Sequence, residues 1–105
     1  MLCASVVYPN QPDAKFDFRY YMKKHIPMVE ELLNTSIEVV RGVASTTGPA
    51  VPFVCTARIA IHSTDEFFAA MATHGAQILG DIPNYTNIQP IVQIDELVEQ
   101  VRVLQ

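Results

Sequence analysis

Apolar residues follow two rhythms along this chain, one of period two and one of three to four. Leu2 to Tyr8 is a short apolar run closed by Pro9-Asn10 and reads as a first strand. A loop containing Pro9, Asn10, Pro12 and Asp13 leads to Asp17, whose carboxylate suits a helix N-cap. Beyond it Phe18, Tyr21, Met22, His25, Val29, Leu32 and Leu33 recur at steps of three and four, which marks one helix face. Pro27 lacks an N–H and crowds the carbonyl four residues back. The pattern therefore predicts a helix from 17 to about 25, a break, and a second piece from 27 to 34. Ile37 to Thr47 predicts strand two, Gly48 to Pro52 a turn, and Phe53 to His62 strand three. Ser63-Thr64-Asp65-Glu66 has capping-box spacing. The helix it opens carries Phe67, Phe68, Met71, His74 and Ile78 on one stripe, is weakened at Gly75 and ends at Gly80. Asp81 to Asn84 is a turn, and Asn87 to Leu97 predicts strand four.

This order is βαββαβ in two halves of similar length. It predicts an α+β, ferredoxin-like fold: a four-stranded antiparallel sheet with two helices, each broken, on one face. Two helices cover only one side of such a sheet. Strand three is nevertheless apolar on one side (Phe53, Cys55, Ala57, Ile59, Ile61) and only half polar on the other (Val54, Thr56, Arg58, Ala60, His62). A strand with one wet face alternates more cleanly than this. The expectation is a homodimer in which the second face meets a partner's sheet, enclosing a pocket. Residues 1–97 form the single domain, and the alternating tail 98–105 is expected to dock on the dimer partner.

Composition narrows the classes. The chain has 105 residues, a formal charge of −4 and 17% charged residues, which is an ordinary globular balance with room for one core. With no basic run, it is a poor partner for nucleic-acid phosphates. The longest uncharged stretch, Val43 to Ala57, is punctuated by Gly48, Pro49 and Pro52 and predicts no membrane span. Met1 to Ser5 carries no positive charge, so no signal peptide is expected. Two cysteines make no disulfide framework, and Cys3 and Cys55 read as buried small residues of a cytoplasmic protein.

Two segments carry a resemblance. Phe16-Asp17-Phe18-Arg19-Tyr20-Tyr21-Met22-Lys23-Lys24-His25-Ile26-Pro27-Met28-Val29 resembles the F-D-x-x-Y-Y-x-x-x-H-x-P-L signature of the EthD family, whose name comes from ethyl tert-butyl ether degradation. Gly80-Asp81-Ile82-Pro83-Asn84-Tyr85-Thr86, followed by Pro90 and Gln93-Ile94, is similar to its second signature. Met28 stands where the usual residue is Leu, a volume-conserving change. The likeness spans residues 2 to 97 and implies the dimeric α+β barrel superfamily. It implies less about chemistry, because that superfamily includes isomerases, cyclases, decarboxylases and cofactor-free monooxygenases, several using pocket histidines.

Several side chains then become candidates. His25 lies on the apolar stripe of helix one, where a purely structural helix would carry Leu. It reads either as a general acid or base or as a core histidine bonded to backbone freed near Pro27. His74 holds the corresponding place on helix two beside Gly75, with a helix-terminal role as its plainer alternative. His62 reads as a solvated strand-end residue. Adjacent helical residues point about 100° apart, so Tyr20 and Tyr21 are not expected to share a site. Tyr21 is the pocket candidate and Tyr20 a packing or dimer contact. Asp81, near Tyr85 across the Ile82-Pro83 turn, either orients a histidine or caps the turn. Arg58 binds an anionic substrate or pairs with an interface acid.

The expected assignment is therefore His25, His74 and Asp81 as catalytic residues, with Tyr21, Arg58 and Tyr85 binding substrate. No G-x-G-x-x-G, Walker loop or H-E-x-x-H occurs, so no cofactor and no metal are expected. Haem, bound by some barrel relatives, is a further possibility. The substrate expected is a small apolar or aromatic molecule. The reaction expected is cofactor-independent acid/base chemistry: isomerisation, cyclisation, decarboxylation or oxygenation. The alternative is a non-catalytic accessory or binding subunit.

Overall fold

The computed structural model describes residues 1–98. Four strands, β1 (Leu2–Pro9), β2 (Ile37–Arg41), β3 (Phe53–Ile61) and β4 (Ile91–Glu96), form one sheet in the order β2-β3-β1-β4, with every neighbouring pair antiparallel. This is the ferredoxin-like arrangement expected. Strands two and four are shorter than their apolar patterns suggested, since 42–47 and 87–90 lie outside the ladder. Of the tail 98–105, all but Val98 falls outside the described residues.

The register sorts the side chains. Ala4, Val6 and Tyr8 pair with Ile59, Ala57 and Cys55, so all six share the face that the helices cover. Val92 and Ile94 join them from β4, and Ile37 and Val39 from β2. The opposite face is mixed, with Val7, Val40, Val54 and Ile91 among Ser5, Thr56, Arg58, Gln93 and Asp95. On it Ser5 donates to the Asp95 carboxylate, and Arg58 pairs with Glu38 at 2.8 Å.

Helix one differs from its expectation. Asp17 caps it as anticipated, its carboxylate accepting from Tyr20 N at 3.0 Å. The helix then runs unbroken through α1 (Phe18–Tyr20), a π-helical turn (Tyr21–His25) and α2 (Ile26–Leu33). The N–H of Ile26 reaches back five residues to the Tyr21 carbonyl. Pro27 thus follows a turn widened by one residue, which relieves its ring of the usual clash, and no break is needed. The run ends at Asn34 in the left-handed conformation, φ 51°.

The second helix, α3 (Thr64–Gly80), is likewise continuous, with Ser63 Oγ accepting from Glu66 N at 3.1 Å. Gly75 does not break it. A Cβ there would meet only Met71, at 3.6 Å, so the glycine admits no close backbone neighbour. A 3₁₀ turn, Ile82–Asn84, leads from α3 towards β4.

Gly42 is a different case. Its N–H bonds Val54 O at 3.0 Å, and a Cβ there would lie 2.2 Å from Phe53 O. Backbone on the facing strand cannot yield as a flexible side chain would. Gly42→Ala is therefore expected to lower the unfolding free energy by about 1–3 kcal/mol, the usual cost of overpacking. Urea denaturation measures it, and an unchanged midpoint would show that the β2–β3 end adjusts freely.

Candidate active site

Two segments far apart in sequence are stitched together at one end of the sheet. Asp17 N donates to Tyr85 O at 2.7 Å, Thr86 Oγ1 to Lys15 O at 2.6 Å, and Asn87 Nδ2 to Asp13 O at 2.7 Å. An isolated antiparallel bridge joins Phe16 to Thr86. The start of helix one and the turn after α3 thereby become one unit, and the side chains they carry meet.

Asp81 lies at their junction. Its carboxylate caps no backbone N–H; it accepts instead from three side chains. Tyr20 Oη donates to Oδ1 at 2.7 Å, Asn84 Nδ2 to Oδ1 at 2.9 Å, and His25 Nδ1 lies 2.9 Å from Oδ2. On the other side of the imidazole, Nε2 is 3.3 Å from the Tyr85 hydroxyl, which is 2.7 Å from the Tyr8 hydroxyl. Asp81, His25, Tyr85 and Tyr8 thus form one row. Tyr21 stacks on His25 at 5.5 Å and on Tyr85 at 4.9 Å between ring centroids. His25 is only 5% exposed, at the end of the π turn.

Electrostatics settles the protons. Burial pulls the Asp81 carboxyl upwards, but the donors Asn84, Tyr20 and His25 outweigh it and hold it below its ordinary value. Burial also holds the His25 imidazole below its ordinary value, despite the opposing pull of Asp81. At neutral pH the pair is therefore a carboxylate and a neutral imidazole. Oδ2 requires the proton on Nδ1, which leaves Nε2 as an acceptor for Tyr85 O–H. Burial is also the main reason that the Tyr8, Tyr21 and Tyr85 phenols lie above the usual range, so they remain protonated. Burial pushes the Cys55 thiol up to about 11, which makes it unreactive.

The sign of the pH dependence follows. Asp81 contributes stability that is complete above the range of an unfolded carboxyl and is lost as pH falls through its depressed folded value. His25 contributes stability that is complete above the ordinary imidazole value of 6.5 and is lost as pH falls from there towards its lower folded value. Unfolding free energy is therefore expected to fall between pH 7 and pH 5. His25→Gln should remove part of that slope, and an unchanged slope in the variant would contradict the assignment.

His25, Tyr8 and Tyr21, with Gln93, also form the polar part of the wall of a cavity of about 440 Å³ between the sheet and the helices. The rest is apolar, with Val29, Ile59, Phe67, Met71 and Ile94 among its lining. Phe68, Leu79 and Val92 line it too, yet each is at least half exposed, so they form its mouth.

The anticipated site residues separate into two groups. His25, Asp81, Tyr21 and Tyr85 come together. His74 does not join them: it is half-buried on α3 and absent from the cavity lining, because it stands at the margin of a stripe centred on Phe67, Met71, Gly75 and Ile78. Arg58 lies on the sheet face opposite the cavity, in an exposed cross-strand pair with Glu38. His62 is exposed, as expected. Tyr20 corrects the pairing rule applied to it. It and Tyr21 both stack on Tyr85, at 6.4 and 4.9 Å, because the row is long enough for divergent side chains to reach it. Sequence reasoning missed Tyr8 and Asn84. Asn84 lies within the second signature, whereas nothing local distinguishes Tyr8 from the rest of its strand. Among the described residues, no group of three His, Cys, Asp or Glu is placed to hold a metal, and no helix is long and apolar enough to cross a membrane.

A ferredoxin-like sheet with a carboxylate–imidazole–phenol row beside an apolar cavity defines the class of protein. The chain is similar to an EthD-like protein from Ralstonia eutropha JMP134, with 40% identity, a TM-score of 0.77, and coverage of 95% of this chain and 94% of that one. It belongs to the EthD family. An ethyl tert-butyl ether degradation family protein from Bacillus halodurans C-125 shares the fold, at a TM-score of 0.63 and 18% identity, over 91% of this chain and 97% of that one. No protein-family model and no curated protein matches the chain.

Proposed function

We propose that this EthD-family protein binds a small apolar or aromatic molecule in the cavity between sheet and helices. It carries out cofactor-independent acid/base chemistry there, with His25 as the base and Asp81 orienting it. One observation carries the reading: a neutral imidazole, fixed in its Nδ1–H form by Asp81, borders a largely apolar cavity of about 440 Å³. That volume suits a small organic ligand. Among the described residues the Nε2 lone pair is held only by the 3.3 Å contact from Tyr85, so it remains available to accept a proton.

The half-apolar outer face of the sheet supports a homodimer as part of this reading, with Val7, Val40, Val54 and Ile91 covered by a second copy. The free thiols of Cys3 and Cys55 suit a reducing cytoplasm.

A binding or accessory role is the second reading. It is favoured by the way hydrogen bonds and ring stacking already satisfy His25 as a structural group. A generic base probe separates the two. In 5-nitrobenzisoxazole, removal of the ring C–H proton breaks the N–O bond and releases a coloured phenolate. The catalytic reading expects turnover above buffer that falls with acid and drops to background in His25→Gln. Calorimetric binding without turnover would assign the cavity to binding alone, and neither binding nor turnover would overturn both readings.

A further inference from the structure

Every hydrogen in the buried row has a direction. Asp81 holds two donors on Oδ1, so its other oxygen takes the Nδ1 proton of His25. Nε2 must then accept, and among the described residues only the Tyr85 hydroxyl is there to donate to it. Tyr85 has a single hydroxyl proton, which is now committed, so at the 2.7 Å contact Tyr8 must be the donor and Tyr85 the acceptor. Tyr8 O–H points to Tyr85, Tyr85 O–H to His25, and His25 N–H to Asp81. The polarity runs one way along four side chains, from Tyr8 to Asp81, and both Tyr8 and His25 line the cavity.

The chemical consequence concerns the ligand. With its own proton committed, the Tyr8 oxygen can only accept, and one of its lone pairs lies within reach of the Tyr21 hydroxyl on the same wall. We propose that the cavity is selective for an apolar or aromatic molecule bearing one hydroxyl, a phenol or an enol, whose O–H donates to Tyr8. The row then serves as a proton relay. The ligand O–H bond breaks as a Tyr8 O–H bond forms, the Tyr8 proton passes to Tyr85, and the Tyr85 proton forms a new N–H bond at His25 Nε2. The ligand is left as an oxyanion, and the imidazolium is paired with the Asp81 carboxylate. No electrons change oxidation level and no co-reactant is required.

Burial makes the selectivity steep. A ligand oxygen that only accepts would meet the Tyr8 lone pairs with no proton between the two oxygens, and it could gain a donor only by drawing the Tyr21 O–H away from Tyr8. Tyr8 is thus the group that meets the ligand, and Tyr85 is a positioning and relay residue behind it.

This inference rests on the ligand-binding reading of the cavity, and its test fails separately from that reading. The probes are 2-naphthol and 2-methoxynaphthalene, which share a ring system but differ in the O–H. Calorimetry on the full chain should give 2-naphthol an affinity at least about ten-fold higher. Tyr8→Phe should bring the two affinities together. Equal binding of both probes to the unmodified protein overturns the inference while leaving the binding reading intact. Binding of neither overturns the binding reading itself. The comparison on the unmodified chain decides the matter even if Tyr8→Phe fails to fold.

Discussion

Replacing His25 with alanine is expected to lower the unfolding free energy at pH 7 by about 2–4 kcal/mol. The imidazole is 5% exposed and stacked on Tyr21, and its two nitrogens face Asp81 and Tyr85. Truncation removes the ring contacts and leaves the Tyr85 O–H without its acceptor. Asp81 keeps Tyr20 and Asn84, so its carboxylate stays bonded and the loss does not climb further. From sequence, a catalytic histidine and a structural one read as exclusive alternatives, distinguished by whether stability changes. The geometry makes His25 both integral to the fold and exposed to the cavity. Loss of stability therefore says nothing against catalysis, and His25→Gln is the better variant for activity. A cost below about 0.5 kcal/mol, the usual level of surface substitutions, would show that the ring is not part of the packed row.

The larger stability effect is expected at Tyr21. Its side chain is among the largest that are fully buried, and its ring touches Tyr8, Phe16, Phe18, His25 and Tyr85. Tyr21→Ala should cost about 3–5 kcal/mol in urea denaturation, as truncation of a packed aromatic does. It should also enlarge the cavity, since Tyr21 forms part of its wall. Aromatic neighbours on several sides leave little room for the site to collapse, which places the expectation at the upper end. A cost near 1 kcal/mol would mean that the cluster refills the space.

Much of the fold was legible because its elements are locally consistent. The alternating run in Phe53–Ile61, the Asp17 and Ser63 caps and the three-to-four stripes each mark their element independently of the rest of the chain. Pro27 misled for a physical reason. A single π turn relieves the proline clash as well as a break does, and it leaves no separate signature in the residue types.

The site was legible only where a motif carried it. His25 and Asp81 stand in the two segments that resemble EthD signatures, and the contacts from Lys15 and Asp17 to Thr86 and Tyr85 explain why those segments belong together. The Tyr8–Tyr85 contact spans 77 residues and the His25–Asp81 contact 56, so neither has a periodicity to betray it. His74 satisfied the same stripe criterion as His25 and still missed the cavity. Helical phase specifies a face to within tens of degrees, which is too coarse to decide whether a marginal side chain reaches a cavity.

The most direct measurement is the protonation of the His25 ring itself, read from long-range proton–nitrogen NMR correlations across a pH titration. The account predicts a neutral ring at pH 7 with its proton on Nδ1 and a bare Nε2, titrating below the ordinary imidazole value. A proton on Nε2, or a ring still charged at neutral pH, would contradict it.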